Sequence, residues 1–403
     1  MRPLGKWWTL AVDINIVLQL FGTAIAYLIV VGDLMPAAFE QLGASGPITE
    51  RNTCVLLAFA FAGPLSCPHN IGWLGVTSGF SVFFLIYTTF IVFLYSLPTD
   101  QTGLHPCTDQ AMDDDSHICE GSKSYGDDTD VIKFLTASSI FIFGFASQIT
   151  VFPIVNELIN VTQKRLNQVF MASTLTGMCL YIVVSFCAYA TYGDSIESNL
   201  LKNYPKAPAV SAARIMISFV VTFSYPLQIN PTRRCILTIL YNSVDGGKPA
   251  SKTVQYIRYW LITVVFLLGS LGIALSADDL GIVIALVGAF GGTLIMFILP
   301  GYLFLHHFPD KSKDGTVVNP LTERLLDATD DVHDDIKDED VQAILNVQNE
   351  SIENGKTGDK TLTSLLDKDH IPVKVTKWDR TIAWIHLVLG IIVGPMCIVA
   401  IFV

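Results

Sequence analysis

Long apolar runs with almost no charge recur from one end of this chain to the other, and they constrain its fold more than any motif does. A run of about 18 or more apolar residues crosses a bilayer as a helix, because only a helix pairs all its own backbone groups where water is absent. Such runs lie at roughly 11–32, 54–69, 76–97, 133–153, 169–190, 209–229, 257–276, 279–305 and 381–403, which makes nine expected spans. The expected fold class is an all-α polytopic membrane protein. Hydrophobic residues are 51% of the 403 and charged residues only 15%, too few charges for a soluble enzyme of this size.

Lys and Arg in short loops set the orientation. With simple alternation, Arg2, Lys6, Lys164, Arg165, Arg233, Arg234, Lys248, Lys252 and Arg258 share one side, against Arg51, Lys123, Lys202 and Lys206 on the other. The first group is placed in the cytosol, so the loop at about 98–132 comes out exoplasmic. That loop holds Cys107 and Cys119, which are either bridged or two free thiols; an oxidising compartment favours the bridge. Its acidic run of Asp113, Asp114, Asp115 and His117 reads as a solvated loop rather than a metal site.

The expected organisation is a transmembrane domain over 1–305 with eight spans, an acidic cytosolic loop over 306–380, and a last helix over 381–403. The 306–380 segment has too little apolar surface to offset its ordering entropy, so it reads as largely disordered, with regulation, sorting or a cytosolic partner as its use. The net charge of -11 sits mostly in the two long loops and argues against nucleic acid as a partner.

Within the spans, FGFASQITVFPIVNELIN (143–160) gathers residues that unsettle a helix. Gly144 removes side-chain cover, Ser147 and Gln148 are polar at a depth where polarity is expensive, and Pro153 frees the carbonyl four residues back. The stretch predicts an interrupted helix whose backbone lines a polar cavity. Half-helix ends of this kind bind charged groups without ionised side chains: a carboxylate at an N-terminal end, an ammonium at free carbonyls. An amino-acid zwitterion suits such a site, with Gly144, Phe145, Ser147, Gln148 and Thr150 as the candidate substrate-binding residues. Apart from Asp13 near one end, the first six spans are nearly free of charge.

A second candidate is SFVVTFSYPLQINPTRR (218–234), where the Thr222 and Ser224 hydroxyls with nearby carbonyls could hold a small hard cation. Taken alone, the residues favour back-bonding of both hydroxyls to the preceding turn. Pro226 and Pro231 are expected to end or kink the span, with Arg233 and Arg234 anchoring it at the cytosolic face. In IALVGAFGGTLIMFILPG (284–301), Gly288, Gly291 and Gly292 read as packing glycines. The spans contain no HExxH, GxSxG or paired carboxylates, and an enzyme is not expected.

Six stretches in order resemble the amino acid/auxin permease superfamily, in particular its sodium-coupled neutral amino acid transporter branch and the related vacuolar amino acid transporters. FGTAIAYLIVVGDLMP (21–36) is similar to that family's third helix, and PLSCPHNIGWLGVTS (64–78) to its fourth-to-fifth junction, with Pro68 and His69 where basic residues are common. FIFGFASQITVFPIVNEL (141–158) resembles the sixth, Ser147 and Gln148 standing at its Cys/Ser-His/Gln position. CAYATYGDSIESNLLKNYP (187–205) resembles the end of the seventh, VTFSYPLQINPTRR (221–234) the eighth and LVGAFGGTLIMFILPG (286–301) the tenth.

The resemblance implies an inverted-repeat, leucine-transporter-like fold of eleven helices, with a disulfide in the large exoplasmic loop, which fits Cys107 and Cys119. Nine spans of the expected eleven are present, and the first two helices are expected to be missing, together with a second broken helix. An incomplete gene model or short isoform is favoured over a shortened protein, because half a site would leave unpaired backbone facing lipid. The implied function is secondary active transport of an amino acid by alternating access, at the plasma membrane or a lysosomal or vacuolar membrane. Na⁺ or H⁺ would be the coupling ion at Thr222 and Ser224, with no other cofactor. The rival reading is a non-transporting amino-acid sensor that signals through 306–380.

Overall fold

The computed structural model describes residues 6–67, 74–97, 130–147, 149, 163–243, 251–277, 279–307 and 377–402. All regular structure among them is helical: α1 (Lys6–Gln41), α2 (Arg51–Leu65), α3 (Leu74–Ser96), α4 (Val131–Gly144), α5 (Gln163–Tyr192), α6 (Pro208–Ser243), α7 (Lys252–Ser276), α8 (Leu280–Val287), α9 (Leu299–His307) and α10 (Lys377–Phe402). Between α8 and α9 the chain continues as two π-helical turns, Gly288–Gly292 and Leu294–Ile298. By length and composition seven of the helical runs are fit to cross a membrane, while α2 and α4 are apolar but shorter. Each expected span contains helix among the described residues, although the helix in 133–153 stops at Gly144. The expected Cys107–Cys119 bridge and the centre of the 306–380 loop lie outside the described residues, and the described residues lend the bridge no support. The other six cysteines are free thiols.

Local chemistry explains where helices begin and stop. Asp130 caps α4 by accepting from the Ile132 amide at 3.0 Å, and Asp279 caps α8 through the Gly281 amide at 2.7 Å. Ser251 does the same for α7 through Val254. These side chains satisfy donors that a helix start leaves orphaned. After α1 the chain turns through Gly43 and Gly46, both at positive φ, where a Cβ would be strained.

The chain divides into two compact units, residues 1–296 with 392–403, and residues 297–391. In the first, α1 is the axis. Ala24, Ile25, Leu28 and Ile29 of α1 pack with Val55 and Ala62 of α2, Tyr225 and Ile229 of α6, Phe266 of α7 and Leu280 of α8. A second cluster joins Leu34, Ile91, Val92, Tyr95, Cys187, Tyr192 and Tyr204. Around this core, α3, α5 and α7 turn Phe83, Phe90, Phe186, Leu261 and Val265 outward, as a lipid-facing surface requires. In the second unit, α9 and α10 approach at glycine: a Cβ on Gly301 would stand 2.6 Å from the Ala383 carbonyl oxygen, and the Phe297 and His386 rings lie 6.0 Å apart.

α6 differs from expectation. It runs 36 residues through both Pro226 and Pro231, so neither proline ends it. The neighbouring helices hold it: Tyr225 Oη and Ser270 Oγ are 2.6 Å apart, and Gln228 Nε2 donates to Tyr27 Oη at 3.5 Å. Each proline still removes one ladder bond, which frees the carbonyls of Thr222 and Leu227.

Candidate functional site: an interrupted helix against a π-turn

α4 has 14 residues, about 21 Å of helix, and stops at Gly144 within the expected 133–153 span. Phe145, Ala146 and Ser147 are non-helical, with the Ser147 amide donating to the Phe145 carbonyl at 2.8 Å. An interruption at this stretch is what its residues predicted. Gly144 and Ser147 are exposed and Phe145 half-buried; Gln148 and Thr150 lie outside the described residues. The end of α4 is fixed by α5: Tyr181 donates its hydroxyl to the Gly144 carbonyl at 3.0 Å, and its ring meets Phe145 edge-on with centroids 5.3 Å apart. No local motif marks Tyr181, because its partner is 37 residues away.

The other face of α4 packs on the first π-turn. A Cβ on Gly288 would collide with the Ser139 carbonyl, and one on Gly292 would come 2.6 Å from Ile142 Cγ2. These glycines therefore do make the close approaches expected of them. The sequence reading did not foresee that the same segment is π-helical. A run of Gly288, Ala289, Gly291 and Gly292 offers little side-chain cover to hold an α-helical ladder. Behind it, Asn15 Nδ2 of α1 donates to the Phe290 carbonyl at 3.1 Å. Asn15, Gln19 and Thr23 follow at i, i+4 and i+8 and are all buried, a polar stripe whose spacing was legible in the sequence and was passed over.

Thr222 and Ser224 sit on α6, on another side of α1. Thr222 Oγ1 donates to the Ser218 carbonyl at 2.6 Å, the local back-bond that its residue type favours, and this leaves its oxygen lone pairs. Ser218 and Thr222 line a cavity of about 290 Å³ among α1, α2 and α6. Its other walls are apolar, Met35, Phe39, Leu57, Phe61 and Phe219 among them. Ser224, two residues on and therefore on a different face of α6, is half-buried.

Two arginine clusters close the ends of this packing. At one end, Arg51 of α2 pairs with Asp33 of α1 at 3.4 Å and donates to the carbonyls of Ala277, the residue just after α7, at 2.6 Å and of Ala274 in α7 at 3.4 Å. Asn199 also donates to Asp33, and nearby Lys202 is bonded to Glu197 at 2.7 Å, which raises the lysine pKa above its usual value. At the other end, Arg233 of α6 is only 3% exposed. It donates to the Ser66 carbonyl at 2.9 Å, to Thr263 at 3.3 Å and to Asn230, and lies 4.4 Å from the centre of the Tyr259 ring. Tyr259 in turn donates to the Cys67 carbonyl at 2.7 Å. Arg233 is thus an internal crosslink placed within α6, which continues past it to Ser243. Arg214, 2% exposed inside α6, is the charge that a nearly uncharged span did not lead one to expect; the Leu201 and Tyr204 carbonyls accept from it at 3.0 and 2.6 Å.

Among the described residues no group of His, Cys, Asp and Glu could hold a metal ion. What the described residues provide is a helix end whose Gly144 and Phe145 carbonyls each accept one bond and keep a second lone pair, buried amides and a widened helical turn, groups suited to binding.

Comparison with known proteins finds transporters among those this chain is similar to. The chain is 29% identical over 315 residues to vacuolar amino acid transporter 5 of Schizosaccharomyces pombe, covering 78% of this chain and 70% of that protein. It is 27% identical over 330 residues to vacuolar amino acid transporter 6 of Saccharomyces cerevisiae, covering 72% and 71%. Against sodium-coupled neutral amino acid transporter 7 of Homo sapiens the identity is 30% over 307 residues, 74% of this chain and 62% of that protein. The model of the family described as transmembrane amino acid transporter protein matches residues 1–321. These are transporters and not enzymes, and the chain, an integral multi-pass membrane protein, belongs to the transmembrane amino acid transporter protein family.

Proposed function

We propose that the protein is a secondary active transporter of a neutral or cationic amino acid, bound near the bilayer midplane at the interrupted end of α4. The observation that carries this reading is the stop at Gly144 inside a span. The last carbonyls of a helix have no partner within it and form the negative end of its dipole, so the end of α4 suits an ammonium group. The Gly144 carbonyl accepts from Tyr181 and the Phe145 carbonyl from the Ser147 amide, and each keeps a second lone pair for an ammonium. The substrate carboxylate would be bound beside Ser147, Gln148 and Thr150. Phe145 and Gly144 would give the wall and the room.

For coupling, Thr222 and Ser224 are the positions for Na⁺ or H⁺. Pro226 supports this assignment, because it frees the Thr222 carbonyl next to the Thr222 hydroxyl. The human relative is named as sodium-coupled, which favours Na⁺; the yeast relatives are named as vacuolar, so the membrane is the plasma membrane or a lysosomal or vacuolar one. Rocking of a helix bundle in an inverted-repeat, leucine-transporter-like fold would expose the substrate alternately to each side. The transmembrane domain at 1–305, the 306–380 loop and the last helix at 381–403 are the parts of this proposal.

The test is uptake of labelled amino acids by the full chain in liposomes, under an imposed Na⁺ or H⁺ gradient. Uptake of at least one of the twenty above that of empty liposomes is expected, and uptake of none sinks the reading. A Gln148→Ala variant with unchanged affinity would remove Gln148 from the pocket.

A further inference from the structure

Two buried amides on α1 lack a partner that their chemistry demands. Asn15 and Gln19, one turn apart, are 9% and 4% exposed. Only the NH₂ of a carboxamide can donate to a carbonyl, so the bond from Asn15 Nδ2 to Phe290 fixes that amide and leaves Oδ1 turned away from it. Asn15 Oδ1 and Gln19 Oε1 are both buried with no hydrogen-bond donor. Both side chains meet the same π-turn, since a Cβ on Gly291 would stand 2.7 Å from Gln19 Cβ. On the next turn, the Thr23 hydroxyl donates to the Gln19 carbonyl at 2.8 Å, so its oxygen has lone pairs to offer. The nearest carboxylate in sequence, Asp13, is hydrogen-bonded to Cys235 of α6 instead.

We infer that Asn15 and Gln19, with the π-turn at 288–292, form a binding site for a small hard monovalent cation, Na⁺. Buried acceptors with no donor need either a donor or a positive charge. Carboxamide and carbonyl oxygens are hard ligands, and a set of neutral oxygens balances one positive charge rather than two. The site is separate from Thr222 and Ser224. It also has a mechanical address: the turn it grips is the one that Ser139, Ile142 and Phe143 of the interrupted helix pack against. An ion there would hold α1, the π-turn and the end of α4 in one arrangement.

This inference goes beyond the transport reading, because ion binding here needs no substrate, and the two fail separately. The experiment measures radiolabelled Na⁺ binding to the purified full chain, with choline as the replacement cation, together with Tm in NaCl against choline chloride. Saturable binding and a higher Tm in NaCl are expected. Asn15→Leu and Gln19→Met should each raise the half-saturating Na⁺ about tenfold or more, and Gln19→Glu, which keeps the shape and adds a charge, should lower it about tenfold. The inference is overturned by absence of Na⁺ binding to the wild type. It is also overturned by binding unchanged in folded Asn15→Leu and Gln19→Met, as a structural water only would give. Loss of all binding in Thr222→Val with wild-type binding in the α1 variants would assign the ion to α6 instead. If the apolar variants fail to fold, Gln19→Glu decides alone, and no gain in affinity overturns the site.

Discussion

Gly288 and Gly177 are both helical glycines in apolar surroundings, yet they should answer the same substitution with opposite signs. A methyl at Gly288 meets the Ser139 backbone carbonyl, which cannot rotate away, whereas nothing lies within 4 Å of one at Gly177. Gly288→Ala should lower stability by about 1–3 kcal/mol through overpacking, and Gly177→Ala should raise it by about 0.5–1 kcal/mol through backbone entropy. Thermal unfolding of the two variants in detergent checks both signs. Tyr181 makes the second prediction at this scale. Tyr181→Phe removes the donor to Gly144 at the end of α4, a bond with a net value of about 1 kcal/mol. On the proposed function, the KM for uptake should shift by about fivefold with Tm nearly unchanged; an unchanged KM would detach Tyr181 from the site. At single residues the sequence was informative where one residue type carries its own consequence, as with Gly144 and Ser147. It was silent on Tyr181, Arg51 and Arg233, whose roles are pairings with distant carbonyls. Asn15 and Gln19 stood in plain view at helical spacing, but an amide in a span is commonly satisfied by its neighbours, and only the fold reveals oxygens that are not.

At the scale of elements, apolar length located the long helices among the described residues, because the bilayer's demand for internal hydrogen bonding leaves few other choices. Ends were less legible. α1 continues past the expected limit near residue 32 to Gln41, because Asp33 is paired with Arg51 and no longer needs water. α6 continues through two prolines because neighbouring helices hold its sides. The π-turns were not foreseen: the glycines of the first read as packing residues, and the second, Leu294–Ile298, has no local signal at all. The proline in α6 gives the element-scale prediction. Pro226→Ala restores a donor for the Thr222 carbonyl, so α6 should become more regular and Tm should rise. If that carbonyl is a ligand for the coupling ion, the half-saturating concentration of Na⁺ or H⁺ for uptake should rise as well. Unchanged ion dependence would exclude it.

At the scale of the molecule, the proposed function places transport in the helical body, so on it deletion of residues 310–375 should leave amino-acid uptake in liposomes intact. Loss of uptake with preserved substrate binding would favour the sensing alternative. Arg233→Met should be among the more damaging single changes, by about 3 kcal/mol, because it strips a charged donor from the Ser66 carbonyl, Asn230 and Thr263 together. A lower Tm with lost expression is the readout. The two arginine clusters have a consequence for motion. α2 is tied to α7 near Arg51, through the Ala274 and Ala277 carbonyls, and again near Ser66 and Cys67, through Arg233 and Tyr259. Helices cross-tied at both ends into a frame keep their separation. Whatever swings during a transport cycle must swing past this frame, so spin labels on α2 and α7 should keep one fixed separation while labels on other helices change theirs.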